Sequence, residues 1–168
     1  MYEELEEEIR EYGEYLGKGI SREAYRYQGK VYKLLRDPED TYQTSAEQDV
    51  YVYLPEKFKQ FFPNPKWLGA DIIEMDEVII AEHIVPWGDP EVSSQASYLS
   101  DRTHQYLAYT DILEFLVYTN LTHLLPTLEE FTNWLLENNF NCRDLFNNAE
   151  NYGIREGQLK FVDWGLSI

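Results

Sequence analysis

Two strand-like runs, Glu23 to Tyr27 and Lys30 to Leu35, are separated only by Gln28-Gly29. So short a gap, with glycine in its second place, is the signal for a tight antiparallel hairpin. Strand alternation then puts Lys33 on the same side as Val31 and Leu35. A lysine on an apolar face is costly unless it is paired or holds an anion; the alternative is an edge-strand lysine reaching solvent.

The rest of the chain reads around that hairpin. Residues Tyr2 to Tyr15 carry seven Glu, with Leu5, Ile9, Tyr12 and Leu16 at helical spacing, so an amphipathic helix precedes the strands. GKGIS reads as a flexible turn. Ser45 to Phe62 is helical, with Val50, Tyr51, Leu54 and Phe58 on one side and a break or kink at Pro55. Lys66 to Gly69 and Val78 to Glu82 read as strands separated by the acidic turn MDE, and HIVPWGDPEVSSQAS as linker and loop. Helices follow over Tyr106 to Leu121 and from Pro126-Thr127, where Thr127 and Glu130 have capping-box spacing. A polar loop, Asn141 to Asn151, leads to a hairpin turning at Glu156-Gly157, whose last strand is Leu159 to Val162. Strands early, helices late, then a hairpin is an α+β order, one domain of 168 residues with a sheet-rich lobe over 1–84 and a helical lobe over 85–168.

With 14 Tyr, 8 Phe and 4 Trp the chain has the apolar content to fold. Its formal net charge of -17 opposes sequence-independent binding to nucleic acid and leaves room for an acidic decoy that occupies a basic partner. No stretch is long and apolar enough to span a bilayer, the acidic N-terminus is unlike a signal or transit peptide, and Cys142 has no partner for an internal disulfide. A cytoplasmic location is the expectation.

Taken singly, Gly17-Lys18-Gly19, Lys33, Glu47, Asp144, Asn151 and Asp163 each have an ordinary reading as turn or surface residues. Their order, from a glycine turn through a strand lysine and a helical glutamate to a strand-Asp-aromatic-Gly, resembles the protein-kinase-like fold. The resemblance runs from Gly17 to Gly165 and is nearest to the short kinase-like proteins of bacteria and their phages. It implies a small β-sheet lobe with one helix and a reduced helical lobe ending in a hairpin.

The resemblance further implies a role for each residue. GKGISREA would cover the phosphates, with Gly17 and Gly19 in the loop and Ala24 and Val31 against the adenine. Lys33 would hold the α- and β-phosphates of ATP and Glu47 would fix Lys33. Glu82 to Ile84 would be the hinge that bonds adenine through its backbone. Asp144 would be the base, and Asn151 and Asp163 the Mg²⁺ ligands. Three departures stand out: Arg22 replaces the third glycine, Cys142 precedes Arg143-Asp144, and Asp144 lies seven residues before Asn151 where the family gap is about five, so that either the loop bulges by two residues, or Asn148 is the ligand, or Asp144 is not a base. The expectation is a minimal form without the activation loop and the platform that follow Asp-aromatic-Gly in most protein kinases.

The implied function is a minimal ATP- and Mg²⁺-dependent phosphotransferase with a protein Ser/Thr hydroxyl as acceptor. The alternatives are a pseudokinase that binds nucleotide or a protein partner without transfer, and the acidic decoy. Oligomeric state is left open.

Overall fold

In the computed structural model, which describes residues 2–103, 105–140 and 142–164, Gln28 and Gly29 both take positive φ (49° and 80°), the conformation that closes a two-residue hairpin without splaying its strands. The turn joins β2 (Arg22–Tyr27) to β3 (Lys30–Leu35) with Tyr27 opposite Lys30 and Arg22 opposite Leu35. An additional strand, β1 (Glu14–Lys18), pairs with β2, so most of the stretch read as helix end and turn is sheet. Gly13, extended at φ -74° and ψ 157°, ends α1 (Glu3–Tyr12), whose last apolar anchor is the buried Ile9.

The antiparallel sheet has five strands in the order β1-β2-β3-β5-β4. Its central partner to β3 is β5 (Ile72–Asp76), which the acidic letters of MDE conceal: Met75 and Asp76 belong to the strand, and Met75 is buried behind it. The strand read over Val78 to Glu82 is reduced to β6 (Ile79–Ile80), followed by a single 3-10 turn at Ala81–His83. β4 (Lys66–Leu68) completes the edge.

Alternation assigns the two faces of β3. Tyr32 and Leu34 join Ile9, Tyr25 and Ile72 in a small core under α1, whereas Val31 and Lys33 face α2 (Tyr42–Tyr53) and the larger core. Pro55 ends the helical stretch and separates α2 from a 3-10 helix at Glu56–Phe61.

The stretch read as linker holds α3 (Pro90–Ser100). Asp89 caps it, its side chain accepting from the N–H of Val92 at 3.1 Å, and Pro90 occupies the first turn, where its missing N–H costs nothing. The same Pro and Ser residues that suggest a loop are therefore a helix start. α4 (Asp111–Tyr118) is shorter than the periodic run from Tyr106, and α5 (Leu125–Glu137) follows. Within the polar loop lies a one-turn helix, α6 (Arg143–Phe146), pinned by buried Leu145 and Phe146. β7 (Tyr152–Arg155) and β8 (Gln158–Phe161) form the closing hairpin and join β6 in a second sheet.

The large core spans both halves of the chain. Phe131 of α5 touches Phe58, Phe62, Phe146 and Phe161 at centroid distances of 5.3 to 6.5 Å, so one ring links the helices to β8 and to the segment after α2. No helix among the described residues is long and apolar enough to cross a membrane.

Candidate nucleotide site

Glu47 has the right place on α2 to turn inward, and its carboxylate is fully buried. Lys33 Nζ donates to Glu47 Oε2 at 2.9 Å and to the carbonyl of Val162, and lies 5.0 Å from the centre of the Trp164 ring. The strand lysine is thus paired and capped by an aromatic face rather than reaching solvent. Burial pulls the Lys33 ammonium well below its usual pKa, the nearby Arg22 guanidinium acts in the same direction, and Asp163 opposes both.

Arg22, where the third glycine of the loop would stand, enters this pair from β2. Its Nη1 bonds Glu47 Oε1 and its Nη2 lies 3.3 Å from Asp163 Oδ1. Only 6% of the Arg22 side chain is exposed, against 51% for Asp163. Burial lowers the Arg22 pKa while Asp163 raises it. The backbone N–H of Trp164 donates to Glu47 Oε2 at 3.3 Å, and its indole N–H donates to the Glu47 carbonyl at 2.9 Å. Glu47 therefore gathers β2, β3 and the segment after β8 at one carboxylate, and a buried charge so fully bonded has its desolvation offset.

A five-stranded antiparallel sheet, a strand lysine paired to a helical glutamate, and an Asp after the closing hairpin now stand together. This is the set of features that the resemblance to the protein-kinase-like fold implies. Among solved structures, the chain is similar to APH(2")-IIa in its ternary complex with streptomycin and ATP, at TM-score 0.46 and 18% identity, over 98% of this chain and 70% of that one. It is also similar to the macrolide 2'-phosphotransferase MphH from Brachybacterium faecium, an apoenzyme, at TM-score 0.44 and 11% identity, over 98% of this chain and 72% of that one. No family model and no curated protein matches the sequence.

Two joined cavities flank Lys33. The larger, about 440 Å³, is mainly apolar and is walled by Leu16, Val31, Met75, Ile79, Ile80 and Val162, with His83 at its margin. The smaller, about 270 Å³, is lined by charged side chains of both signs, Lys18, Arg22 and Lys33 with Glu23, Glu150 and Asp163, together with Gln43. Gly17, Ala24 and Lys33 line both. Gly17 can sit between them because its φ of 154° and bare Cα leave the passage open, with no atom within 4 Å of the point a Cβ would occupy.

Of the residues named from the sequence, Gly17, Gly19, Ala24, Val31, Lys33 and Asp163 line these cavities, and Glu47 lies directly behind Lys33. Glu82 and Ile84 line neither. Their backbone N–H groups donate to the carbonyls of Ala149 and Ala81, while His83 between them and the preceding segment Asp76 to Ile80 do border the apolar cavity. Asp144 is exposed on α6 and lines neither cavity. Asn151 is buried; its amide N–H donates to the Asp144 carbonyl at 3.1 Å, and its own carbonyl accepts from Val162 and Asp163 at 2.8 and 3.3 Å. Gly165 lies outside the described residues.

Glu150 and Gln43 carry no signal in the sequence that would mark them as site residues. Glu150 also lines a third, polar cleft of about 270 Å³ with Glu82, Trp87, Asp111 and Asn148. Among the described residues no three His, Cys, Asp or Glu side chains are grouped so as to hold a metal ion.

Proposed function

We propose that this protein binds ATP in the joined cavities and is a phosphotransferase of kinase-like type. The observation that carries the reading is the partition at Lys33: an apolar slot on one side suits a purine, and a cation-bearing chamber on the other suits a polyphosphate. Lys33 borders both, and an anion beside its ammonium would offset the burial that now depresses its pKa.

The acceptor would approach through the third cleft, which meets the polar chamber at Glu150. Its carboxylates, Glu82, Asp111 and Glu150, favour a hydroxyl carried by a cationic molecule or by a basic protein segment. A Ser or Thr of such a segment is the protein acceptor this reading accommodates.

A second reading is favoured by one observation, the exposure of Asp144 outside both nucleotide cavities. It is a nucleotide-binding module that transfers no phosphate. Thermal melting with ATP tests the shared premise, and ADP release separates the two. Saturating ATP should raise the Tm of the native chain and not that of Ala24→Trp, whose ring would fill the passage. Equal response of both proteins would remove the nucleotide from these cavities; stabilisation without any ADP release would leave the binding module.

A further inference from the structure

The residues expected to hold a divalent cation do not fit one. Asp163 has one carboxylate oxygen committed to Arg22. Asn151 does not line the chamber at all; its amide N–H donates to the Asp144 carbonyl, which holds the side chain on the α6 side. Magnesium is held by carboxylates and phosphates together, and a single half-exposed carboxylate already bonded to a guanidinium is a poor start.

The chamber carries cations of its own. Lys18, Arg22 and Lys33 all line it. Two of its three carboxylates are already matched from within the chain, Asp163 by Arg22 and Glu23 by Arg10 at 3.0 Å. Lys18 makes no ion pair among the described residues, which leaves its ammonium open to an anion that enters the chamber. Arg36 meanwhile donates to the carbonyls of Gly19 and Ile20, holding the loop that carries Lys18 against the end of β3. The repulsion from the net charge of -17 is screened beyond about 8 Å at physiological ionic strength, so these near groups decide what enters.

We propose that the chamber takes the phosphates of a nucleotide directly on Lys18, Arg22 and Lys33, with no bridging divalent cation, and that Asp163 anchors Arg22 rather than a metal. The inference rests on the nucleotide reading above. A guanidinium with a fixed carboxylate behind it offers its remaining N–H groups in a set orientation, which suits phosphate oxygens. Such a site recognises the triphosphate as a free anion, a different chemical species from its magnesium complex.

Calorimetric titration with ATP in EDTA and in magnesium chloride tests this, on the native chain and on Asp163→Asn and Lys18→Gln. Both substitutions are at exposed side chains and threaten the fold little. The affinity in EDTA should lie within about threefold of that in magnesium, Lys18→Gln should weaken it by about tenfold, and Asp163→Asn should tighten it by removing a negative charge from the chamber. A loss of more than about tenfold in EDTA, or weakened binding by Asp163→Asn in magnesium, overturns the inference and leaves the nucleotide reading standing. No binding in either medium overturns both.

Discussion

The indole N–H of Trp164 donates to the backbone carbonyl of Glu47 at 2.9 Å, joining the segment after β8 to the middle of α2. Its ring packs edge-on to Phe62 at 4.9 Å and covers Lys33. Trp164→Phe should keep the packing and lose the hydrogen bond, at a cost of about 1 kcal/mol, whereas Trp164→Ala should cost about 3–5 kcal/mol. Urea denaturation of the two variants checks the difference; equal losses would mean that the ring packing contributes nothing, and an unchanged Trp164→Phe that the hydrogen bond contributes nothing.

Glu47 is the shared partner of Arg22 and Lys33, so its loss strands two buried cations, whereas loss of either cation leaves Glu47 paired with the other. Glu47→Gln leaves two cations facing a neutral amide and should destabilise the fold by roughly 3–5 kcal/mol. Lys33→Met, which replaces the ammonium with an apolar group of similar length, should abolish the ATP-induced rise in Tm. A folded Lys33→Met protein that still responds fully to ATP would take the polar chamber out of nucleotide binding.

Tyr32 gives a pH dependence whose sign can be worked out. Burial, and then its hydrogen bond to Glu74 at 3.0 Å, push the phenol up to about 12 from an ordinary value of 10.0. The unfolded chain releases that proton first, so the contribution is intact below about pH 10 and is lost as pH rises from there through about 12. The loss is on the order of 2 kcal/mol. Tyr32→Phe should flatten this part of the stability profile, read as urea midpoint against pH; a slope unchanged by the substitution would show that Tyr32 is not its source.

Gly153 is where β7 meets β6 most closely. A methyl group there would overlap the Ile79 carbonyl and lie 2.9 Å from Ile80 Cα, both backbone atoms that cannot step aside. Gly153→Ala should therefore part the two strands and cost at least about 2 kcal/mol, while Gly157→Ala, in the open turn at φ 75°, should cost only about 1 kcal/mol. Comparing their Tm values decides the matter, and a Gly153→Ala protein as stable as the native chain would contradict the β6–β7 contact.

Features written within a few residues of one another are legible in the sequence. Gln28-Gly29 and Glu156-Gly157 have the turn chemistry of hairpins, Pro55 cannot continue a helix, and the alternation of β3 alone places Lys33 beside Val31. Local pattern misleads where it fits two structures equally well. Asp89-Pro90 can be a loop or a capped helix start, and it is the packing of Ala96 into the large core that selects the helix. β5 is hidden because Glu74 and Asp76 point polar groups to Tyr32 and Lys30, contacts that exist only once β3 lies alongside.

The site divides along the same line. The hairpins, the inward side of Lys33 and its candidate partner Glu47 follow from residue order alone, because strand and helix periods assign faces without reference to the rest of the chain. Folding adds what residue order does not contain: Arg22 enters the Lys33–Glu47 pair and reaches Asp163, 141 positions away, and the apolar cavity is bordered by Asp76 to Ile80 and His83, not by Glu82 or Ile84. Ion pairs at that separation depend on where the Phe131-centred core brings β8 against α2, and no local pattern carries that information.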